Sequence, residues 1–140
     1  MNQCLTFRMG NELYGVDIHN VQEIKGYAPS TPLPNAPDYF RGVMNLRGII
    51  VPVVDLRARF GMPTMAPTRV NVIIVVVANG RVTGLLVDAV ADVAELRPSD
   101  IQATPDVCGA APPDFVQGVA RIGDQLLILL NTDRIVAAAA

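Results

Sequence analysis

The sequence repeats itself, and that limits the folds open to it more than any other feature. Tyr14-Gly15-Val16-Asp17-Ile18-His19-Asn20-Val21-Gln22-Glu23-Ile24 aligns with Thr83-Gly84-Leu85-Leu86-Val87-Asp88-Ala89-Val90-Ala91-Asp92-Val93. The glycines coincide, Val21 meets Val90, and Glu23 meets Asp92. Further on, Pro37-Asp38-Tyr39-Phe40-Arg41-Gly42-Val43 aligns with Pro113-Asp114-Phe115-Val116-Gln117-Gly118-Val119, and Ile50-Val51-Pro52-Val53-Val54-Asp55 with Leu126-Leu127-Ile128-Leu129-Leu130-Asn131. The matches keep the same order about half a chain apart. They predict a mainly β protein of two similar subdomains with about five short strands each. Short strands joined by tight turns close into small barrels, which removes their edges. The expected division is roughly 14–63 for the first subdomain and 70–131 for the second, with 1–13 and 132–140 packing at their junction.

Composition agrees with strands. Of the 140 residues, 51% are hydrophobic but only 5% aromatic, so the apolar content comes mostly from Val, Ile, Leu and Ala. β-Branched side chains suit a pleated, half-buried surface. Leu5 to Met9 alternates apolar with polar, Gly10-Asn11 turns, and Tyr14, Val16 and Ile18 alternate again, which predicts a hairpin over 3–18. Ile18, Val21 and Ile24 are then spaced three apart, which predicts a short helix ended by Gly26. Pro29, Pro32, Pro34 and Pro37 mark an extended surface segment.

From Phe40 to Phe60 the chain reads as a strand, a turn at Arg47-Gly48, a very apolar strand and a helical turn that Asp55 caps. Pro52 places its position at an edge or a bulge. Thr64 to Thr68 is a linker. Val70 to Ala78 is a buried strand, Asn79-Gly80 signals a two-residue hairpin, and Val82 to Val87 returns. Asp88 to Val93 repeats the helical spacing. A Pro-rich loop covers 98–113, a last hairpin spans Phe115 to Leu130 across Gly123-Asp124, and a short C-terminal helix follows Thr132.

Enzyme chemistry finds little support. The single histidine, His19, has no nearby cysteine or carboxylate pair. No Gly-Lys-Ser/Thr follows a glycine-rich loop, and the two serines, Ser30 and Ser99, sit in no nucleophile elbow. Cys4 and Cys108 lack metal-type spacing and read as free thiols, so neither a metal nor a cofactor is expected. Asp17, Asp55 and Asp88 fall where helix caps would. A net charge of −2 without a basic run argues against nucleic acid. The longest unbroken apolar run, Val72 to Ala78, is far below a membrane span, and Met1-Asn2-Gln3-Cys4 does not open a secretion signal, so a cytoplasmic location without membrane insertion is expected. What remains is a surface that binds.

One candidate stands out. Asn45-Leu46-Arg47-Gly48 is a polar corner in apolar sequence, and its counterpart Arg121-Ile122-Gly123-Asp124 does not reproduce it. Tyr14-Gly15-Val16-Asp17-Ile18 followed by Val21-Gln22-Glu23-Ile24, then Arg41-Gly42-Val43-Met44-Asn45-Leu46-Arg47-Gly48 with Val51-Pro52-Val53-Val54-Asp55-Leu56-Arg57, resembles the CheW family of chemotaxis coupling proteins. Val87-Asp88 with Val90 and Gln125 to Asn131 fit it too. The resemblance implies two five-stranded, SH3-like barrels packed around a shared core. It implies a non-catalytic adaptor in bacterial chemotaxis, bridging the cytoplasmic tip of a methyl-accepting chemoreceptor to the regulatory domain of the histidine kinase CheA. The same scaffold in a chemosensory-like pathway controlling pili or another output is the alternative.

Carried over residue by residue, the resemblance implies a receptor-binding groove of Ile18, Val21, Glu23, Gly42, Asn45 and Arg47. Kinase binding falls to Ile101, Gln102, Asp106 and Val107, where relatives often carry a charge at the Gln102 position and an aromatic at Val107. Other CheW-like domains are expected partners in rings, and recruitment to membrane-associated receptor arrays follows. An apolar groove with a charged rim suits one helix of a receptor hairpin. Arg47 either meets a partner there or pairs with Glu23 within the fold; Ile18 and Val21 either meet a partner or pack in the core.

Overall fold

A computed structural model describes residues 2–28, 31–32, 34–64, 67, 70–103 and 109–138. Ten strands run in chain order as β1 (Gln3–Met9), β2 (Glu12–Asp17), β3 (Val21–Gly26), β4 (Phe40–Leu46), β5 (Ile49–Asp55), β6 (Val72–Ala78), β7 (Arg81–Val87), β8 (Ala89–Glu95), β9 (Val116–Ile122) and β10 (Gln125–Leu130). Two short helices, α1 (Leu56–Arg59) and α2 (Thr132–Ala138), follow β5 and β10. The strands form two five-stranded sheets, ordered β8-β1-β2-β10-β9 and β3-β6-β7-β5-β4.

The repeat is present, but the sheets divide the chain differently from the expected 14–63 and 70–131. Each sheet joins the opening hairpin of one half to the last three strands of the other. The chain crosses between sheets twice, at the 3₁₀ turn Ile18–Asn20 and at Asp88, not at the 64–68 linker. The join in each sheet is a parallel pair. Gly15 of β2 lies opposite Leu129 of β10, and Gly84 of β7 lies opposite Val53 of β5. These are the residues that the repeat alignment equates. Smaller details recur as well. Thr31 bridges Val43 as Gln102 bridges Val119, and the Asp55 amide donates to the Tyr39 carbonyl as the Asn131 amide donates to that of Phe115, both at 2.7 Å.

Two stretches expected as helices are strands. After a single 3₁₀ turn, residues 21–26 form β3, and 89–95 form β8. Both are outer strands with few buried positions. A spacing of three in a strand puts Val21 and Ile24 on opposite faces. Val21 accordingly packs on the core while Ile24 stays 45% exposed. Asp88 caps no helix, whereas Asp17 caps the 3₁₀ turn and Asp55 caps α1.

Successive residues of the central strands serve different cores, which is why those strands read as unbroken apolar runs. Ile74, Val76 and Ala78 of β6 join Phe7, Tyr14, Leu85, Ile128 and Ile135 in the core between the sheets. Ile73 and Val75 join Val51, Val53 and Leu86 in a smaller core belonging to one sheet. Cys4, Leu13, Leu127 and Leu129 form its counterpart in the other. Burial pushes the Cys4 thiol up, so it remains a protonated core residue. Pro52 sits one residue before the β5–β7 ladder begins, where β5 is paired only to β4 and a missing donor costs no ladder bond.

Candidate functional site

The β4–β5 turn carries the polar corner. Arg47 (φ 51°) and Gly48 (φ 86°) both occupy the left-handed region, as a two-residue hairpin of this twist requires. Asn45 Oδ1 accepts from the Gly48 amide at 2.8 Å and shapes the turn. Arginine is an unusual occupant of a left-handed position. Its guanidinium reaches across to β3, where Nη2 donates to Glu23 Oε2 at 2.6 Å. The Arg47 side chain is 69% exposed and that of Glu23 23% exposed. The other carboxylate oxygen, Glu23 Oε1, is buried and has no hydrogen-bond partner among the described residues. A pair this exposed adds at most about 1 kcal/mol to stability. It acts as a staple between an outer strand and a hairpin tip.

Close in sequence to the staple residues are exposed apolar side chains that sequence reasoning missed. Ile24, Ile49 and Ile50 are 45%, 54% and 64% exposed. The signal was available: in a strand, Ile24 must face opposite to Val21, and residues just past a tight turn have only one covered side. Apolar surface rimmed by charge is a common mark of a protein-binding site.

The remaining expected receptor residues have structural duties. Ile18 and Val21 pack, half-buried, on the core between the sheets. Gly42 lies at a bulge of β4 and faces the Thr31 backbone, not the Glu23–Arg47 pair. Of the expected kinase residues, Ile101 packs half-buried on the small core of its sheet. The Gln102 backbone exchanges two hydrogen bonds with Val119, at 2.8 and 3.1 Å, while its side chain is exposed. Asp106 and Val107 lie outside the described residues.

His19 Nδ1 sits 3.0 Å from Asp17 Oδ1 in an exposed position. Among the described residues no group of three or more His, Cys, Asp or Glu could hold a metal ion. No described helix is long and apolar enough to cross a membrane.

Comparison with known proteins bears on the chain as a whole. Residues 3–140 match the profile of the CheW-like domain. The chain is 43% identical over 133 residues to the chemotaxis protein CheW of Rhizobium meliloti, covering 95% of this chain and 86% of that one. It is 38% identical to CheW of Klebsiella aerogenes, covering 96% and 81%. The crystal structure of the scaffolding protein TtCheW from Thermoanaerobacter tengcongensis superposes with a TM-score of 0.87 at 35% identity, covering 93% of this chain and 88% of that one. A duplicated fold of two strand-sharing sheets, a polar corner confined to one of them and matches along nearly the whole chain lead to one assignment: this protein belongs to the CheW family.

Proposed function

We propose that the chain is a non-catalytic adaptor that couples the cytoplasmic tip of chemoreceptors to the regulatory domain of the histidine kinase CheA. One observation carries the reading. The Arg47–Glu23 staple belongs to one sheet, and among the described residues the matching corner of the repeat, with Asp92 and Gly123 in their places, forms no such pair, although the exposed Ile24 and Ile50 recur there as exposed Val93 and Leu126. A fold this nearly duplicated has no packing reason for that difference. The receptor tip would lay one helix against Ile18, Val21 and the staple, with Asn45 and Gly42 holding the hairpin in shape. The kinase domain would use the other sheet, around Ile101 and Gln102 and extending to Asp106 and Val107. Val93, Ile122 and Leu126, exposed on that sheet, supply apolar contact area. Each contact is modest, and recruitment to a membrane-associated array, with related domains in rings, adds strength by multivalency.

The test is a pair of separate titrations, one with a receptor tip and one with a kinase regulatory domain. Arg47→Glu is expected to weaken receptor binding with the circular dichroism spectrum unchanged and kinase binding retained. A wild-type chain that binds neither partner would end the adaptor reading. Loss of the folded spectrum in Arg47→Glu would reduce the staple to a structural pair.

A further inference from the structure

Four arginines lie on α1 and the hairpin before it, and three of them are matched to acids, Arg47 to Glu23 as described above. Arg41 donates Nε and Nη2 to Asp55 Oδ2, at 3.1 and 3.0 Å. Arg57 takes both oxygens of Asp88. Arg59 differs. Its guanidinium carbon lies 5.0 Å from the ring centroid of Tyr39 and 4.7 Å from that of Phe115. Among the described residues nothing accepts a hydrogen bond from it. The side chain is half-buried.

The two rings are counterparts in the repeat, and each belongs to the residue whose carbonyl receives the amide at the end of the following hairpin, Asp55 or Asn131. Continuing the Asp55–Asn131 alignment places Arg59 on Ile135. That isoleucine is 2% exposed and belongs to the core between the sheets. The first half therefore puts a guanidinium where the second puts a core residue. Aromatic faces stabilise the cation, but they accept nothing from the five N–H groups in its plane. Those donors are held in a fixed fork whose complement is a carboxylate, and a guanidinium is weakly hydrated, so exchanging water for that partner is cheap. Asp38 and Asp114, one residue before each ring, are exposed. Among the described residues neither pairs with Arg59, whose fork and single positive charge match one carboxylate.

We propose that Arg59, clasped between Tyr39 and Phe115, is an anchor for one carboxylate side chain of a docking protein. The proposal rests on the adaptor reading for the identity of that protein, but its chemistry can be tested without it. In the full chain, the arginine Nε–H signals are followed by NMR as sodium acetate is added, with sodium chloride as the ionic-strength control. The Arg59 signal is expected to move with acetate, while those of Arg41 and Arg57 stay in place. An Arg59 signal that responds to acetate no more than to chloride would overturn the proposal.

Arg59→Gln and Arg59→Lys are then titrated against the receptor tip and the kinase regulatory domain. The glutamine variant is expected to lose about tenfold or more in affinity for one of them, the scale of a charge-assisted hydrogen bond. Lysine, which keeps the charge but not the fork, recovers only part. Wild-type affinity of both variants for both partners would also overturn it. A wild-type chain that binds neither partner sinks the adaptor reading instead, and the acetate titration still decides the anchor.

Discussion

Arg57 grips Asp88 with two nitrogens, Nε to Oδ1 at 2.6 Å and Nη2 to Oδ2 at 2.5 Å. Asp88 is the residue at which the chain crosses from one sheet to the other, and its Oδ2 also accepts from the Gly10 amide at 2.7 Å. One carboxylate thereby ties α1 to the β1–β2 turn of the opposite sheet. Burial alone would raise the Asp88 carboxyl. The Arg57 guanidinium and the Gly10 amide more than offset it and hold the group below the usual carboxylate range, while Asp88 raises Arg57 in turn.

A carboxylate with a depressed folded pKa contributes stability in full above its unfolded pKa, about 4, and loses it as pH falls through the folded value. Asp88→Asn is therefore expected to cost about 2 kcal/mol at pH 7, the scale for disrupting a partly buried, hydrogen-bonded ion pair. Urea denaturation at pH 7 and at pH 3 provides the check: the gap between wild type and variant narrows in acid. An equal gap at both would show that the ionised carboxylate is not what matters.

The staple allows a charge swap. Glu23→Lys combined with Arg47→Glu restores an opposite pair across the seam, so its melting temperature is expected to return close to wild type, within the roughly 1 kcal/mol that an exposed pair carries. Receptor binding is expected to stay weak, because a partner reads the sign of each charge. Recovery of receptor binding by the double variant would identify the pair as a fold element alone.

Gly42 and Gly48 separate two meanings of a glycine. Both have positive φ, 132° and 86°. A Cβ at Gly42 would strike the Thr31 carbonyl, whereas one at Gly48 meets open space. Gly42→Ala is expected to cost about 3 kcal/mol or more, combining backbone strain with displacement of the Thr31–Val43 bridge, and Gly48→Ala about 1 kcal/mol. Chemical denaturation midpoints test the contrast. Any loss of receptor binding in Gly42→Ala would then arise from a displaced strand, not from a lost contact.

Tyr14 is fully buried, and its hydroxyl donates to Glu12 Oε1 at 2.9 Å. The same oxygen accepts from the Ala110 amide, so Glu12 also holds the end of the 98–113 loop. Burial, with the Glu12 carboxylate beside it, pushes the phenol far up. A raised folded pKa gives stability that is complete below the unfolded value, about 10, and is lost as pH rises above it. Ultraviolet titration is expected to leave one tyrosine un-ionised until the chain unfolds in alkali, and Tyr14→Phe should remove that late step. Ionisation of all three tyrosines before unfolding would contradict the burial.

Much of this was legible in the residues. Gly10-Asn11, Arg47-Gly48, Asn79-Gly80 and Gly123-Asp124 mark hairpins through their own backbone preferences, and each is a turn in the structure. The Asp55 cap and the C-terminal helix were equally local. The expected helices at 18–24 and 88–93 came from reading a spacing of three as helical, when both segments lie largely in outer strands whose larger apolar residues, Val21 and Ile24 or Val90 and Val93, differ in burial. Asn45, Arg47 and Glu23 were found through the failure of the repeat at one corner. Arg59 was not, because a cation between two rings is visible only once Tyr39 and Phe115 are brought together.

The sequence by itself determined the duplication, the four hairpins and the corner at which one half departs from the other. Those are matters of local period and turn chemistry. Only the tertiary structure decided which hairpin joins which three strands. The two parallel joins, Gly15 with Leu129 and Gly84 with Val53, are long-range pairings between apolar strands of almost the same composition. Strands buried on both faces carry no register or partner in their pattern. What selects the exchange is the core between the sheets, which Phe7, Tyr14, Ile74, Leu85, Ile128 and Ile135 complete only when each half lends its hairpin to the other.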